Sequence, residues 1–327
     1  MFYRCKSCGG NVIYDPKKKA MVCESCGNTG ESEKIAQEKL HTCNNCGAQI
    51  EAEEIDLSLK CPYCGTYVIF EDRMEKEYEP NLVLPFALDK YKALDILKER
   101  FAKKLFLPGN FCAASTIESM EGLYVPFWMY DLHSHVHFEG EADKIRTWTE
   151  GDYDCTETST YRILRDFDVD YDKIPVDASK AMPDKMMDLM EPYKYGELGD
   201  FDAKYLSGFQ TEIYDEDKNT LLPRAREKAD KYSQKYLRSY NIEYDAVRPI
   251  INDKKSTEKE SFYSFLPVWR YVYRYQGKNY EFYVNGQTGK AVGEAPTSTG
   301  KIIAWFVAVF GSLFFAIEML LYLLGVL

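Results

Sequence analysis

Four Cys-x-x-Cys pairs crowd the first stretch of the chain and restrict what it can become: Cys5/Cys8, Cys23/Cys26, Cys43/Cys46 and Cys61/Cys64. Fourteen residues separate Cys8 from Cys23, and fourteen separate Cys46 from Cys61, so one spacing occurs twice in tandem. Each pair is followed by a glycine, Gly9, Gly27, Gly47 or Gly65, the residue that takes a positive φ just past the second sulfur without steric cost. Four thiolates around one Zn²⁺ complete a tetrahedral shell and leave no position for water, so a site of this kind is structural. The spacing predicts two zinc ribbons, over residues 1–30 and 41–70, each holding one structural Zn²⁺ through its four cysteines. Disulfides are the competing reading. They require an oxidising compartment, and no signal-peptide pattern opens the sequence. His41 beside Cys43 is read as a surface residue, because that site already has four sulfur ligands.

The far end is as restrictive. Residues 302–327 form an apolar run in which Glu318 is the single charge, and about 20 apolar residues cross the hydrocarbon core of a bilayer. A buried amphipathic helix would show polar residues every three or four positions, and this stretch does not. The expectation is a single-span, tail-anchored membrane protein with its bulk in the cytoplasm, whose reducing conditions suit free cysteines. An ionisable residue within a span is costly and usually faces another helix, so Glu318 is a candidate contact to a partner helix; snorkelling to the far interface is the alternative.

Between these ends the predicted class is α+β, with an antiparallel sheet region over residues 80–295. Asp89 is placed to cap a helix reaching about Leu105, with Leu94, Leu97, Phe101 and Leu105 on one face. Residues 122–138 read as a buried strand passing into an alternating one, and residues 156–171 as a second long strand. A short helix is expected near residues 183–190, where Met182, Met186, Met187 and Met190 suggest either an adaptable binding surface or simple packing. A longer helix is expected with Pro223 in its first turn and Leu222, Ala225, Ala229, Tyr232 and Tyr236 as its stripe. Residues 280–292 read as a hairpin. Cys112 and Cys155 read as ordinary buried thiols.

Two features of this region carry further expectations. His133, His135 and His137 alternate along the strand and share its outward face with Asp131 and Glu139, which offers either an additional metal site or a polar sheet face. Val125-Pro126-Phe127-Trp128-Met129-Tyr130 and Leu266-Pro267-Val268-Trp269-Arg270-Tyr271 share the pattern aliphatic-Pro-x-Trp-x-Tyr. That suggests a duplicated helix-plus-sheet unit, about 82–180 and 190–295, with chance likeness as the alternative.

The Cys-x-x-Cys-Gly pairs, Tyr124-Val125-Pro126-Phe127-Trp128, Ile174-Pro175-Val176-Asp177-Ala178-Ser179, Glu191-Pro192-Tyr193, Tyr205-Leu206-Ser207-Gly208-Phe209 and Val284-Asn285-Gly286-Gln287-Thr288-Gly289-Lys290 together resemble a bacterial family of TFIIB-type zinc-ribbon proteins with a C-terminal membrane anchor, the YdjG-like proteins. Members are sometimes labelled primosomal helicases. That label does not suit a chain without a Gly-x-x-x-x-Gly-Lys-[Ser/Thr] phosphate loop. The resemblance implies a role at the cytoplasmic membrane, in envelope-stress systems with SPFH-domain or phage-shock-protein-A-like partners. It carries over no catalytic residues.

The net charge of −11 is opposite to the basic face that duplex binding requires. Only the first ribbon, with Arg4, Lys6, Lys17, Lys18 and Lys19, offers a basic patch. No nucleophile elbow, Ser-His-Asp order or His-Glu-x-x-His helix is present, so no enzyme is expected. The function expected is a membrane-tethered scaffold or adaptor, with membrane-tethered nucleic-acid binding through the ribbons as the alternative.

Overall fold

The computed structural model describes residues 1–36, 42–43, 45–74, 78–111 and 120–324; His41 and Cys112 lie outside them. The cysteine-rich end supplies β1 (Phe2–Cys5), β2 (Val12–Asp15), β3 (Ala20–Cys23), β4 (Ser32–Ile35), β5 (Asp56–Lys60) and β6 (Tyr67–Ile69). The rest supplies β7 (Leu82–Val83), α1 (Lys90–Ala102), β8 (Met120–Glu150), β9 (Tyr153–Asp177), α2 (Asp184–Met190), β10 (Gly199–Asp200) and β11 (Gln210–Glu212). It ends in α3 (Lys218–Tyr240), β12 (Ala246–Tyr275), β13 (Lys278–Asn285), β14 (Ala291–Gly293) and α4 (Thr299–Leu323). A mixed α/β arrangement results, built on a ten-stranded sheet in the order β10-β7-β12-β8-β11-β5-β6, with β9 added to β8 and β13–β14 added to β12.

Alternation along β8 sorts its side chains to two cores, as strand geometry requires. Tyr124, Trp128, Tyr130 and Leu132 enter an aromatic-rich core beneath α1 and α3. Leu123, Val125, Phe127 and Met129 enter the other, against Met182, Met187 and Met190 of the α2 region. The methionines therefore pack the sheet.

The aliphatic-Pro-x-Trp-x-Tyr stretches lie side by side, with Leu266 opposite Val125 and Pro267 opposite Tyr124. Their prolines have a common explanation. β8 is flanked by β11 at Leu123–Tyr124 and by β9 from Phe127 onward. β12 is flanked by β7 at Ser264–Phe265 and by β13 from Val268 onward. Pro126 and Pro267 sit where one neighbour hands over to the next, where a missing N–H leaves no ladder bond unmade. The tryptophans cross over: Trp128 Nε1 donates to Glu216 O at 3.1 Å and Trp269 Nε1 to Leu88 O at 3.0 Å. Each acceptor immediately precedes an aspartate that caps a helix, Asp217 for α3 and Asp89 for α1. Ala178 N donates to Pro126 O and Gly286 N to Pro267 O, both at 2.9 Å. Asp177 and Asn285, which precede those donors, are both fully buried.

The sheet expected to be antiparallel over residues 80–295 is mixed, because the short strands β7 and β11 lie parallel to β12 and β8, and two helix expectations change as well. α1 stops at Ala102, and Leu105, placed on its buried stripe by periodicity, is 73% exposed. α3 begins at Lys218 under the Asp217 cap, which moves Pro223 into the second turn. Its buried face is Leu221, Ala225, Lys228, Ala229, Ser233 and Leu237, while Tyr232 and Tyr236 are exposed. β12 starts near Ala246, far ahead of the apolar run. Its first half joins β8 and β9 in a three-stranded arm whose inner face, with Val136, Phe138, Ala142 and Ile163, is covered by Leu237 of α3.

The cysteine-rich end is hydrogen-bonded to the body. Antiparallel pairing of β5 with β11 and with β6 extends the large sheet. The terminal amine of Met1 donates to Ile69 O, Tyr14 N donates to Ser207 O at 2.8 Å, and Ser207 Oγ donates to Val12 O at 2.7 Å. No residue of α4 is buried.

Candidate metal centres and the acid–imidazole ladder

Four nearly identical turns build the cysteine sites. In each, the glycine N–H returns to the first cysteine's carbonyl: Gly9 to Cys5 at 2.8 Å, Gly27 to Cys23 at 2.9 Å, Gly47 to Cys43 at 2.7 Å and Gly65 to Cys61 at 2.9 Å. The four glycines have φ between 70° and 75°, as the spacing anticipates. The turns converge in pairs, so that Cys5, Cys8, Cys23 and Cys26 form one group and Cys43, Cys46, Cys61 and Cys64 another, each with its Sγ atoms within 4.8 Å of one another. The closest approaches are 3.5 Å for Cys8–Cys23, 3.7 Å for Cys43–Cys64 and 3.8 Å for both Cys5–Cys26 and Cys46–Cys61. Ligands about 2.3 Å from a tetrahedral zinc lie roughly 3.8 Å apart, so the groups match a Zn²⁺-sized ion. A disulfide needs about 2.05 Å, which none of these pairs approaches. Each group can hold one metal ion, and zinc fits the donor set.

The two groups are joined by side chains. Arg4 Nη2 donates to Asn45 Oδ1 at 2.8 Å, Asn45 Nδ2 to Thr66 Oγ1 at 2.8 Å, and Thr66 Oγ1 to Asn11 Oδ1 at 2.9 Å. The basic patch of the first group is partly consumed by ion pairs, Lys6 with Glu31 at 2.6 Å and Lys17 with Asp89 at 2.8 Å. A cavity of about 580 Å³ beside it has Lys17, Lys60 and Lys90 facing Asp15, Glu24, Asp89 and Glu121. That balance does not favour a polyanion.

The histidines form a ladder rather than a cluster. Each Nδ1 meets the aspartate opposite it on β9: His133 with Asp170 at 2.7 Å, His135 with Asp168 at 2.9 Å, His137 with Asp166 at 2.7 Å. Each Nε2 reaches the next acid along, at 3.6 Å (Asp168), 3.7 Å (Asp166) and 3.4 Å (Glu139). Lys259 closes one end on Asp170 and Arg162 the other on Glu139, both at 2.7 Å. His133 and His137, four strand positions apart, are separated by about 13 Å along β8, too far for all three imidazoles to share one ion in this arrangement. Among the described residues, only the two cysteine groups bring three or more such donors together.

The hydrogen bond that His137 Nδ1 donates to the Asp166 carboxylate raises His137 above the usual imidazole range, and Glu139 adds to the rise. The folded state then holds this proton more tightly than the unfolded chain. The stabilisation is full below about pH 6.5 and is lost as pH rises through the raised value. In an NMR titration His137 is expected to titrate above about 6.5, and Asp166→Asn to lower its midpoint; an unchanged midpoint would remove the pairing.

Sequence reasoning missed a buried ionic network. Arg224 Nη2 lies 2.7 Å from Asp177 and 2.8 Å from Asp188, and Arg224 Nη1 lies 3.1 Å from Asp184. Lys228 Nζ lies 2.6 Å from both Asp188 and Glu191. Burial raises the Asp177 carboxyl to about 7, while Arg224 opposes the rise and Asp184 adds to it. Burial also raises Glu191, against Lys228. The signal in the sequence was the i,i+4 pairing of Arg224 with Lys228 on α3 and of Asp184 with Asp188 on α2.

Cys155 is half-buried on β9, opposite Trp148. Glu318 is exposed on α4, a helix of 25 residues. At 1.5 Å per residue it is about 37 Å long, enough to cross a hydrocarbon core of about 30 Å.

A Bacillus subtilis (strain 168) protein described as "Uncharacterized protein YdjG" is 37% identical over 342 residues, covering 99% of this chain and 98% of that protein. No protein-family model matches the chain. No solved structure matches it.

Proposed function

The chain belongs to the YdjG family, and we propose that it is a membrane-anchored scaffold that recruits partner proteins to the cytoplasmic face of a bacterial membrane. The observation that carries this reading is the pairing of two closed four-cysteine groups at one end with an apolar helix, none of whose residues is buried, at the other. Four thiolates per ion leave no open coordination position for chemistry, so the two Zn²⁺ ions proposed here are structural. They staple a short segment with little core of its own. Anchoring confines the ribbons to the membrane surface and raises the effective concentration of anything else held there. The partners proposed are membrane-associated proteins of the SPFH-domain or phage-shock-protein-A-like kind, in an envelope-stress or membrane-maintenance assembly. Lys6 and Lys17 are already paired with acids, which favours protein over nucleic acid as partner.

We also infer that the body arose by duplication of a unit comprising a short strand, an Asp-capped helix and a strand carrying aliphatic-Pro-x-Trp-x-Tyr. The reciprocal tryptophan bonds, the matched prolines and the paired Asp177 and Asn285 positions support this.

Crosslinking and affinity purification from membranes tests the scaffold reading. The full chain is expected to retain specific membrane proteins that a chain ending at Gly300 loses. Glu318→Leu is expected to weaken any partner held through the span. If the two forms recover identical partners, or the intact chain fractionates with soluble protein, the reading fails.

A further inference from the structure

We propose that residues 103–107, the turn after α1, form a second membrane contact, which binds the anionic headgroup layer beside the mouth of the span. The proposal rests on the membrane reading of α4. The turn is fastened to the start of that helix. Ser298 N donates to Phe106 O at 2.7 Å, Lys301 Nζ donates to Leu107 O at 2.7 Å, and the rings of Phe106 and Trp305 meet edge-on with centroids 6.0 Å apart. These contacts fix the depth of the turn. Trp305 lies six residues beyond the first residue of α4, about 9 Å along the axis. Tryptophan collects at membrane interfaces, and Trp305 stands in the second turn of α4, at its entry end. A segment touching Trp305 is therefore held at headgroup depth when α4 spans.

The chemistry of the turn suits that depth. Leu105 is 73% exposed and adjoins Lys103 and Lys104, both exposed. Exposed lysines next to leucine and phenylalanine, as in Lys103-Lys104-Leu105-Phe106-Leu107, are the composition of interfacial anchors. The charge is locally reversed from the rest of the molecule. The chain holds 52 acidic residues, yet none between Arg100 and Phe111 and none between Ala295 and Ile317. Lys103, Lys104 and Lys301 thus surround the entry of the span without an acid in either segment. Each lysine near an anionic leaflet changes occupancy by about fivefold. Leu105, which periodicity assigned to the α1 core, is instead free to enter lipid.

The full chain, reconstituted in nanodiscs, tests this by hydrogen exchange read on peptides covering residues 103–107. In discs containing phosphatidylglycerol, exchange is expected to be about 25-fold slower than in discs of phosphatidylcholine alone, about fivefold for each of Lys103 and Lys104. The paired change Lys103→Glu and Lys104→Glu is expected to abolish the difference. Leu105→Ser, at a side chain outside the core, is expected to reduce it. Equal exchange in both lipids by a chain that has entered the discs overturns the headgroup contact and leaves the span intact. Protection that appears only with a co-purified protein overturns it in favour of a protein partner. A chain that enters neither disc overturns both this proposal and the membrane reading.

Discussion

Serine in place of Cys23 is expected to release one of two zinc ions and to melt the first cysteine group while the second keeps its metal. Cys23 closes β3 and is 1% exposed, with its sulfur 3.5 Å from that of Cys8. Zinc held by four thiolates contributes apparent binding free energies of about 10–16 kcal/mol, as much as the whole net stability of an ordinary domain, about 5–15 kcal/mol. Loss of one ligand opens the shell, and β2 and β3 have little core to replace it: Val12 with Cys5 and Cys23, and Tyr3 and Met21 partly buried. The damage should spread inward, because Tyr14 and Val12 hold Ser207 through backbone and hydroxyl bonds. Elemental analysis should give two zinc per chain for the native protein, one for Cys23→Ser or Cys61→Ser, and none for the double substitution. Thiol reductants alone should change nothing, since the sulfur separations exclude disulfides. Native protein without zinc would end the account.

Arg224→Met is expected to destabilise the fold by about 3 kcal/mol near pH 8, the low end for breaking a buried pair from one side, and by less near pH 5. The difference follows from Asp177. Its carboxyl is fully buried and raised to about 7 from 3.8. At pH 5 the folded protein already carries that proton, so removal of the guanidinium strands little charge. At pH 8 the carboxylate is ionised and loses its closest cation. The native protein should show the matching slope. Between about pH 4 and pH 7 the folded state binds a proton that the unfolded chain has released, so stability falls as pH rises through that window. Asp177→Asn should flatten the slope and fold well, because asparagine occupies the corresponding buried place at Asn285. Denaturant titration of the detergent-solubilised full chain at both pH values measures all three. An Arg224→Met cost that is equal at pH 5 and pH 8 would remove the assignment.

The eight cysteines of the two four-sulfur groups were legible because their geometry is local. A Cys-x-x-Cys-Gly turn is set by five consecutive residues and its own backbone hydrogen bond, so spacing alone announces it. The apolar helix was legible for the same reason, and so were the Asp89 cap and the hairpin of residues 280–292. The first half of β12 was not. Residues 250–262 are mostly polar, because one side of that arm meets solvent and the other is only partly covered by α3. The missing stripe on α3 has a related cause. Periodicity places Tyr232 and Tyr236 beside the core, but the side facing β9 is chosen by Ser233, which hydrogen-bonds Tyr171 at 2.7 Å. Likewise His133, His135 and His137 declared a shared face. Whether they meet a metal or a row of acids depended on the strand laid beside them.

The amino-acid order alone determined the two sulfur groups, the apolar C-terminal helix and the presence of both helices and a sheet between them, since each follows from contacts within a few residues or from bulk hydrophobicity. Tertiary structure decided which tryptophan bonds the residue ahead of which helix cap, which aspartate faces Arg224 and which turn rests against Trp305. Those pairings join residues tens to hundreds of positions apart, and a periodic pattern carries no information about the partner across such a distance.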